Sequence, residues 1–191
     1  RSAAPNAAAE PGPQMTIRVR HVVMVSASFV LLATLAGIGF ISGLRVNLTP
    51  SYPLGLWRIE PLAHDPGVGD RIFICPPQDP AFELARDRGY LGRGLCPGWF
   101  SPLIKTVVAV AGQRVVVDGD IAVGGVHLPH SSVRPTDGAG RALAPFAGGI
   151  VPNGQLFLFS GFAGSYDSRY FGPIPAAGVL GLAHPLLVFS P

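Results

Sequence analysis

An apolar segment near the start of the chain, residues 22–44, constrains the fold more than any other feature of the sequence. It contains no charged side chain. As an α-helix it would be about 34 Å long, enough to cross the roughly 30 Å hydrocarbon core of a bilayer. A cleaved signal peptide is the competing interpretation, but this run is longer than a usual signal-peptide core and no clear A-x-A site follows it. We therefore expect an uncleaved membrane anchor.

The charges that flank this segment predict its orientation. Arg18, Arg20 and His21 precede it, whereas only Arg45 follows closely. Because positive charge collects on the cytoplasmic side, we expect a single-pass protein with its N-terminus in the cytoplasm. The predicted organisation is a cytoplasmic tail (1–21), an inner-membrane anchor (22–44) and a periplasmic domain (45–191).

The first residues of the chain, RSAAPNAAAEPGPQ (1–14), are rich in alanine and proline and precede the first methionine, Met15. This composition is typical of a disordered tail or of an extension upstream of the start site. We assign these residues no function.

The composition of the body favours β-structure. The chain has 25 glycines and 20 prolines, which indicates many turns. Its net charge of +3 is too small to predict a nucleic-acid partner. Strand-like runs recur at short intervals: LWRIE (56–60), DRIFIC (70–75), LIKTVVAV (103–110), QRVVV (113–117), DIAVGGV (120–126), QLFLFS (155–160) and LLVFS (186–190). We expect a mainly β body, a barrel or sandwich with one short helix, behind a single transmembrane helix.

Local signals mark the turns and the helix of this body. Asp118-Gly119, within VVVDGDIAV, predicts a hairpin with a type I′ turn. In DPAFELARDRGY, Asp79 can cap a helix that ends near Gly89. The segment 130–149 predicts a long surface loop or flap.

The chain has two cysteines, Cys75 and Cys96. In an oxidising periplasm they can pair, and the closed loop would be worth about 3 kcal/mol; two free thiols are the alternative. No Cys/His set has the spacing of a zinc site, since His127 and His130 form only H-x-x-H in a predicted loop. We expect a disulfide, and neither a metal nor a cofactor.

Lys105 lies in an otherwise apolar strand-like run, SPLIKTVVAV. A lysine among apolar neighbours is desolvated, which lowers its pKa and allows the neutral amine to act as a general base. The alternative is a lysine on an edge strand whose charge reaches water and discourages aggregation.

Ser51 lies in the stiff segment NLTPSYPLGLWRIEP, because Pro50 and Pro53 restrict the backbone on both sides. A tight entry into the first strand would explain this stiffness, and a positioned nucleophile is the other interpretation. A serine can be activated by a neutral lysine without histidine. A Ser-His-Asp triad is poorly supported, because no G-x-S-x-G motif is present.

A third polar group lies in GSYDSRYFGP, where Ser165, Asp167 and Arg169 are close in sequence. We expect Asp167 to hold the loop that carries Ser165 against Lys105, partly through Arg169, without transferring protons itself. Ser165 can hydrogen bond the lysine amine. The alternative is an Asx-type turn with a surface ion pair that contributes little.

Together these motifs resemble the type I signal peptidase family, most closely its conjugal-transfer (TraF) branch. The resemblance covers about residues 22–190 and depends on SYPLGLWRI, KTVVAVAGQRV, DGDIAVGGV and SYDSRYFGP in this order. It implies that Ser51 is the nucleophile and Lys105 the general base. Asp167 falls on the aspartate of the family's S-x-D-S-R box, with Ser165 and Arg169 at its other polar positions.

The serine box departs from the general family pattern. General signal peptidases have Ser-Met with a proline two positions further on, whereas Pro53 directly follows Tyr52 here. The departure concerns the shape of the substrate cleft beside Ser51. Thr49 could offer its hydroxyl to an oxyanion alongside the Ser51 backbone N–H; capping of the local backbone is the alternative.

The resemblance implies a membrane-anchored Ser/Lys endopeptidase that matures the pilin precursor of a conjugative type IV secretion system. Some members of the branch join the new pilin ends head to tail. The implied partners are a membrane-delivered pilin or preprotein, inner-membrane lipid and components of the secretion apparatus. The alternatives are a general type I signal peptidase and a non-catalytic, anchored β-domain of the transfer channel.

Overall fold

The computed structural model describes residues 13–189, with side chains from residue 17 onward. It divides into two compact units at the junction between Ser42 and Gly43. The first unit is one helix, α1 (Pro13–Ile41). Its segment Ile17–Ile41, with a mean hydropathy of 2.2, is long and apolar enough to cross a membrane.

The helix α1 begins earlier than the predicted anchor. Residues 13–21, which we assigned to the tail, are helical in the structure, because no glycine or proline interrupts the chain between residues 14 and 36. Only residues 13 and 14 of the segment for which we expect disorder lie in this helix. Residues 1–12 lie outside the described residues.

The second unit is built from two antiparallel sheets, as expected for a mainly β body. A seven-stranded sheet has the order β1-β2-β11-β3-β4-β9-β10, and a four-stranded sheet has the order β7-β6-β5-β8. The strands are β1 (Leu44–Asn47), β2 (Leu54–Glu60), β3 (Arg71–Ile74), β4 (Leu103–Val110), β5 (Arg114–Asp118), β6 (Asp120–Val123), β7 (Val126–His127), β8 (Gly149–Ile150), β9 (Gln155–Phe159), β10 (Ile174–Pro175) and β11 (Val179–Phe189). Two short helices accompany them, α2 (Pro80–Asp87) and α3 (Ser168–Phe171).

Three apolar clusters hold these layers together. One joins a face of the large sheet to α2 and includes Ile72, Phe82 and Leu158. A second joins β9 and the end of β4 to the small sheet, and the third surrounds Trp57, which is fully buried. Burial of side chains from both faces explains why the inner strands of the large sheet are nearly continuous apolar runs.

Strand β11 is much longer than the predicted segment 186–190. It starts at Val179 and pairs with both β2 and β3. Gly181 and Pro185, residue types that weaken a strand, both lie beside register shifts that accommodate them. At Gly181 a side chain would meet the carbonyl oxygen of Glu60 at 2.3 Å, so the close pairing with β2 requires glycine.

The predicted hairpin between β5 and β6 is confirmed, but its predicted turn type is wrong. Asp118 pairs directly with Asp120, which leaves Gly119 alone at the turn with a φ of 70°. A type I′ turn needs two residues with positive φ. That pattern occurs instead at Gly124 and Gly125, between β6 and β7.

Helix α2 forms as its sequence predicts. The side chain of Asp79 accepts hydrogen bonds from the backbone of Ala81 and Phe82, and Pro80 occupies the first turn. Gly89, with a φ of 77°, follows the helix.

The predicted flap, residues 130–149, is held to the body by several hydrogen bonds, and Asp137 is at the centre of one group of them. Asp137 accepts hydrogen bonds from the Tyr90 hydroxyl and from the Arg141 guanidinium, and Arg141 also donates to the carbonyl of Arg88. These contacts fasten the loop to the chain that follows α2.

The predicted disulfide is confirmed: Cys75 and Cys96 are bonded, with their Cα atoms 5.4 Å apart. The bond links the end of β3 to an irregular hairpin, residues 92–101, in which Arg93 pairs with Phe100. It therefore fixes a segment that also borders the cleft described below.

Reduction of this disulfide should lower the free energy of unfolding by about 3 kcal/mol, because the unfolded chain regains the entropy of an open loop. Urea unfolding of the protein with and without reductant measures this difference. The control is the variant Cys75→Ala/Cys96→Ala, whose unfolding should not respond to reductant. Two alkylated cysteines in protein folded in the periplasm would contradict the pairing.

Candidate active site

Lys105 lies in β4, an inner strand of the large sheet flanked by β3 and β9. Its side chain is buried, with 2% of its surface exposed. An edge strand with a solvated lysine is therefore the wrong interpretation. Burial lowers the pKa of the Lys105 amine from 10.5 to about 8, while the charge of Asp167 raises that pKa and the charge of Arg169 lowers it.

Ser165 is the hydrogen-bond partner of the buried amine. Lys105 Nζ donates to Ser165 Oγ over 2.9 Å, and both side chains are buried. The Ser165 backbone N–H in turn donates to the carbonyl of Phe162, which closes a tight turn after β9. The hydroxyl of Ser165 thus orients the Lys105 amine but carries no charge that would compensate a protonated amine.

Asp167 and Arg169 form an ion pair in which both side chains are fully buried. Arg169 Nε and Nη2 each donate over 2.8 Å to separate oxygens of the Asp167 carboxylate. Asp167 also caps α3, because its carboxylate accepts a hydrogen bond from the Arg169 backbone N–H. A solvated surface ion pair is therefore the wrong interpretation of this motif.

The guanidinium of Arg169 also holds the loop between β9 and α3. Its Nη2 donates to the carbonyls of Ser160, Phe162 and Ser165, at 3.2 to 3.3 Å. Its Nη1 donates to the carbonyl of Ser132 over 3.0 Å. These bonds fit the expectation that Asp167 acts through Arg169 to place Ser165, although the roles of these residues stay predictions.

Ser160 is a residue of this site that the sequence did not indicate. Its Oγ donates to the carbonyl of Ser51 over 2.5 Å, and its backbone N–H donates to Asp167 Oδ2. It therefore links the buried ion pair to the backbone of the candidate nucleophile. No local signal predicts this contact, because in the sequence Ser160 is only the last residue of an apolar strand-like run.

Asn47 is a second residue that was missed, and it organises the segment that carries Ser51. Its Nδ2 donates to the carbonyls of Thr49, Tyr52 and Pro53 at 2.9 to 3.1 Å. Its side chain is buried. An asparagine shortly before two prolines is the kind of residue that fixes a turn, and this was the available signal.

Thr49 caps the same turn. Its hydroxyl donates to Asn47 Oδ1 over 2.7 Å, and its backbone N–H donates to the same oxygen over 3.1 Å. The structure therefore contains the capping of the local backbone, which is the alternative interpretation of Thr49. A direct role of the Thr49 hydroxyl at an oxyanion would require that the bond to Asn47 is exchanged.

Ser51, Lys105 and Ser165 line one cleft of about 270 Å³. Its walls include the Cys96-tethered segment at Gly92 and Ser101. Within the described part of the chain the Lys105 amine bonds Ser165 and does not bond Ser51. Catalytic hydrogen bonds are often loose before substrate binds, so this geometry is compatible with a Ser/Lys pair.

The arrangement offers the parts that acyl transfer needs. A hydroxyl, a buried amine with a lowered pKa and a backbone N–H at Ser51 share one cleft, and the amine is oriented by a second hydroxyl. The chain belongs to the signal peptidase (peptidase S26) family, whose model matches residues 17–187.

Relatives from conjugation systems match most of the chain. A conjugal transfer protein TraF of Agrobacterium fabrum is 59% identical over 153 residues, covering 80% of this chain and 87% of the relative. A plasmid transfer protein TraF of Escherichia coli is 33% identical over 177 residues, covering 90% of this chain and 97% of the relative. A signal peptidase I structure from Enterococcus faecalis aligns with 62% of this chain and 97% of its own length, at 20% identity and a TM-score of 0.37, which is too low to add to the assignment.

Substitution of Asp167 should slow catalysis and shift its pH dependence. Asp167→Asn should retain more activity than Asp167→Ala, because the amide keeps the size and the capping oxygen while alanine leaves a cavity beside Arg169. In Asp167→Asn the pKa of Lys105 should fall further, since Arg169 still lowers it and no carboxylate raises it. Rates of both variants measured against pH test the order of their activities and the shift of the Lys105 pKa. A midpoint in Asp167→Asn that stays fixed or rises would contradict the expected fall of this pKa.

Proposed function

We propose that this protein is a membrane-anchored serine endopeptidase with Ser51 as nucleophile and Lys105 as general base. The observation that carries the proposal is the buried amine of Lys105, which is oriented by Ser165 in the cleft that Ser51 lines. Burial of a lysine is unfavourable because its amine loses contact with water. A non-catalytic scaffold would gain nothing from it, since an apolar residue would pack more favourably at this position.

In the proposed reaction, Ser51 Oγ attacks the scissile carbonyl of the substrate, and its proton passes to the neutral amine of Lys105. The Ser51 backbone N–H donates to the oxyanion that forms. Collapse of the tetrahedral intermediate breaks the C–N bond, and the Lys105 ammonium returns the proton to the leaving amine. An acyl-enzyme ester remains at Ser51.

The acyl-enzyme is released by a second nucleophile. Water yields a cleaved chain with a free carboxylate, and a peptide amine yields a new peptide bond. In both cases Lys105 accepts the proton of the incoming group and Ser51 recovers it. Both outcomes use the same residues, so a hydrolase and a head-to-tail transpeptidase are equally served by this site.

The substrate we propose is the pilin precursor of a conjugative type IV secretion system. The relatives named as conjugal or plasmid transfer proteins support this, because they match the chain over most of its length. The apolar segment Ile17–Ile41 supports a place in the inner membrane, where a pilin precursor would be inserted. The flanking charges favour a periplasmic position for the catalytic domain.

Ser51→Ala and Lys105→Ala should each lower processing by at least about a thousandfold while the protein still folds, because each removes a group that acts in the bond-breaking step. Mass spectrometry of the candidate pilin, produced with each variant, measures processing. A cyclised product weighs one water less than the linear product. His127→Ala and His184→Ala serve as controls and should leave activity unchanged.

Near-normal pilin maturation by either the Ser51 or the Lys105 variant would refute the proposed pair. Normal maturation of the pilin in cells without this protein, combined with cleavage of other preproteins by it, would indicate a general signal peptidase.

The rate should also depend on pH in a manner set by Lys105. Only the neutral amine accepts a proton, and burial lowers its pKa to about 8. Therefore kcat/KM should rise as the pH increases through about 8 and level off above it. A purified protein and a synthetic precursor peptide suffice for the measurement, and a midpoint at pH 10 or above would mean that the amine is solvated and not the poised base.

A further inference from the structure

A side-chain hydrogen bond connects the turn that carries Ser51 to β4, which carries Lys105. Tyr52 directly follows Ser51, and Thr106 directly follows Lys105. The hydroxyls of Tyr52 and Thr106 lie 2.7 Å apart. The contact spans 54 positions of sequence, so nothing in the local chain brings these hydroxyls together.

The second hydrogen bond of Tyr52 defines the direction of the first. Tyr52 Oη donates to the carbonyl of Phe159 over 3.3 Å. With its one proton used there, Tyr52 accepts the proton of Thr106. Burial raises the pKa of the Tyr52 phenol, so the hydroxyl stays protonated near neutral pH.

The ring of Tyr52 is fixed on its other sides as well. It packs edge-on against the buried Trp57, with ring centroids 6.2 Å apart, and the Arg71 guanidinium lies 5.4 Å from its centre. Its backbone carbonyl accepts a hydrogen bond from Asn47. Because its ring, hydroxyl and backbone are all held, Tyr52 has little freedom to move. Its fixed position therefore restricts the position of Ser51, the preceding residue.

Successive residues of a strand point to opposite faces, so Thr106 and Lys105 lie on opposite sides of β4. Tyr52 and Ile104 belong to the same apolar cluster, which places Tyr52 on the Thr106 side. The hydrogen bond is thus made on the side of β4 away from the Lys105 amine, where it does not compete with substrate or with Ser165.

We propose that Tyr52 is a positioning residue, which sets the separation of Ser51 and Lys105 through its hydrogen bond to Thr106. The inference depends on the proposed Ser51–Lys105 pair. It adds a role for a residue that touches neither the reacting bond nor the transferred proton. A small displacement of a nucleophile, of about 1 Å, can lower a rate roughly a hundredfold, so the loss of one such contact has a measurable effect.

The test uses three single variants and one double variant on the full-length protein, assayed with the pilin precursor. Tyr52→Phe and Thr106→Val each remove one hydroxyl at nearly constant volume, whereas Thr106→Ser keeps it. We expect kcat to fall about tenfold in the first two variants with KM changed less than twofold, and Thr106→Ser to stay within about threefold of the wild type. The double variant Tyr52→Phe/Thr106→Val should be no slower than the slower single variant, because both remove one interaction.

Two further readouts separate positioning from general loss of structure. In Tyr52→Phe and Thr106→Val the midpoint of the pH dependence should stay near 8, since burial, Asp167 and Arg169 determine the pKa of Lys105. Tyr170→Phe is the matched control: its hydroxyl accepts a hydrogen bond from the Arg134 backbone, so it loses a comparable contact and should keep the wild-type kcat. All rates are compared well below the melting temperature of each variant.

The outcomes distinguish this inference from the proposed function. If Ser51→Ala and Lys105→Ala abolish processing but Tyr52→Phe keeps the wild-type kcat, the pair stands and the role of Tyr52 is refuted. A shifted pH midpoint in Tyr52→Phe, or additive losses in the double variant, would also refute it. If Ser51→Ala processes the pilin normally, both proposals fail.

Discussion

The buried ion pair between Asp167 and Arg169 is the interaction on which the candidate site depends. Two opposite charges without solvent are stable only when their remaining hydrogen-bonding capacity is filled. Here Arg169 fills its capacity with four backbone carbonyls, and three of these belong to the loop between β9 and α3. The need to satisfy one guanidinium thus fixes the loop that presents Ser165 to Lys105.

The same pair connects the two halves of the cleft. The Ser160 carbonyl accepts a hydrogen bond from Arg169, and its backbone N–H donates to Asp167. Its hydroxyl donates to the carbonyl of Ser51. The segment around Ser51 is therefore held by a loop on one side and by Tyr52 on the other. This arrangement lowers the stability of the fold at Lys105, because burial disfavours the charged form of its amine. Acyl transfer requires groups that are held in place in this way before the substrate binds.

The sequence predicted the parts of this structure that depend on neighbours along the chain. The apolar run around Lys105 and the helix cap at Asp79 are local signals, and the chain has only two cysteines that could pair. The structure agrees with each of these three predictions. The order of strands is set by contacts between distant segments, so the sequence could not exclude an edge position for Lys105. The contact of Ser160 with Ser51 spans 109 positions, and no local pattern encodes it.

Strand β11 has a consequence for when this domain can mature. It lies between β2 and β3, which do not pair with each other, so residues 179–189 bridge the part of the sheet that follows the Ser51 segment and the part that contains Lys105. The ribosome must therefore have translated residues 179–189 before the large sheet can join these two parts. Folding is delayed by this long-range pairing. The large sheet is therefore complete only after the chain has been synthesised through residue 189, so the cleft that Ser51 and Lys105 line takes its final form late in folding.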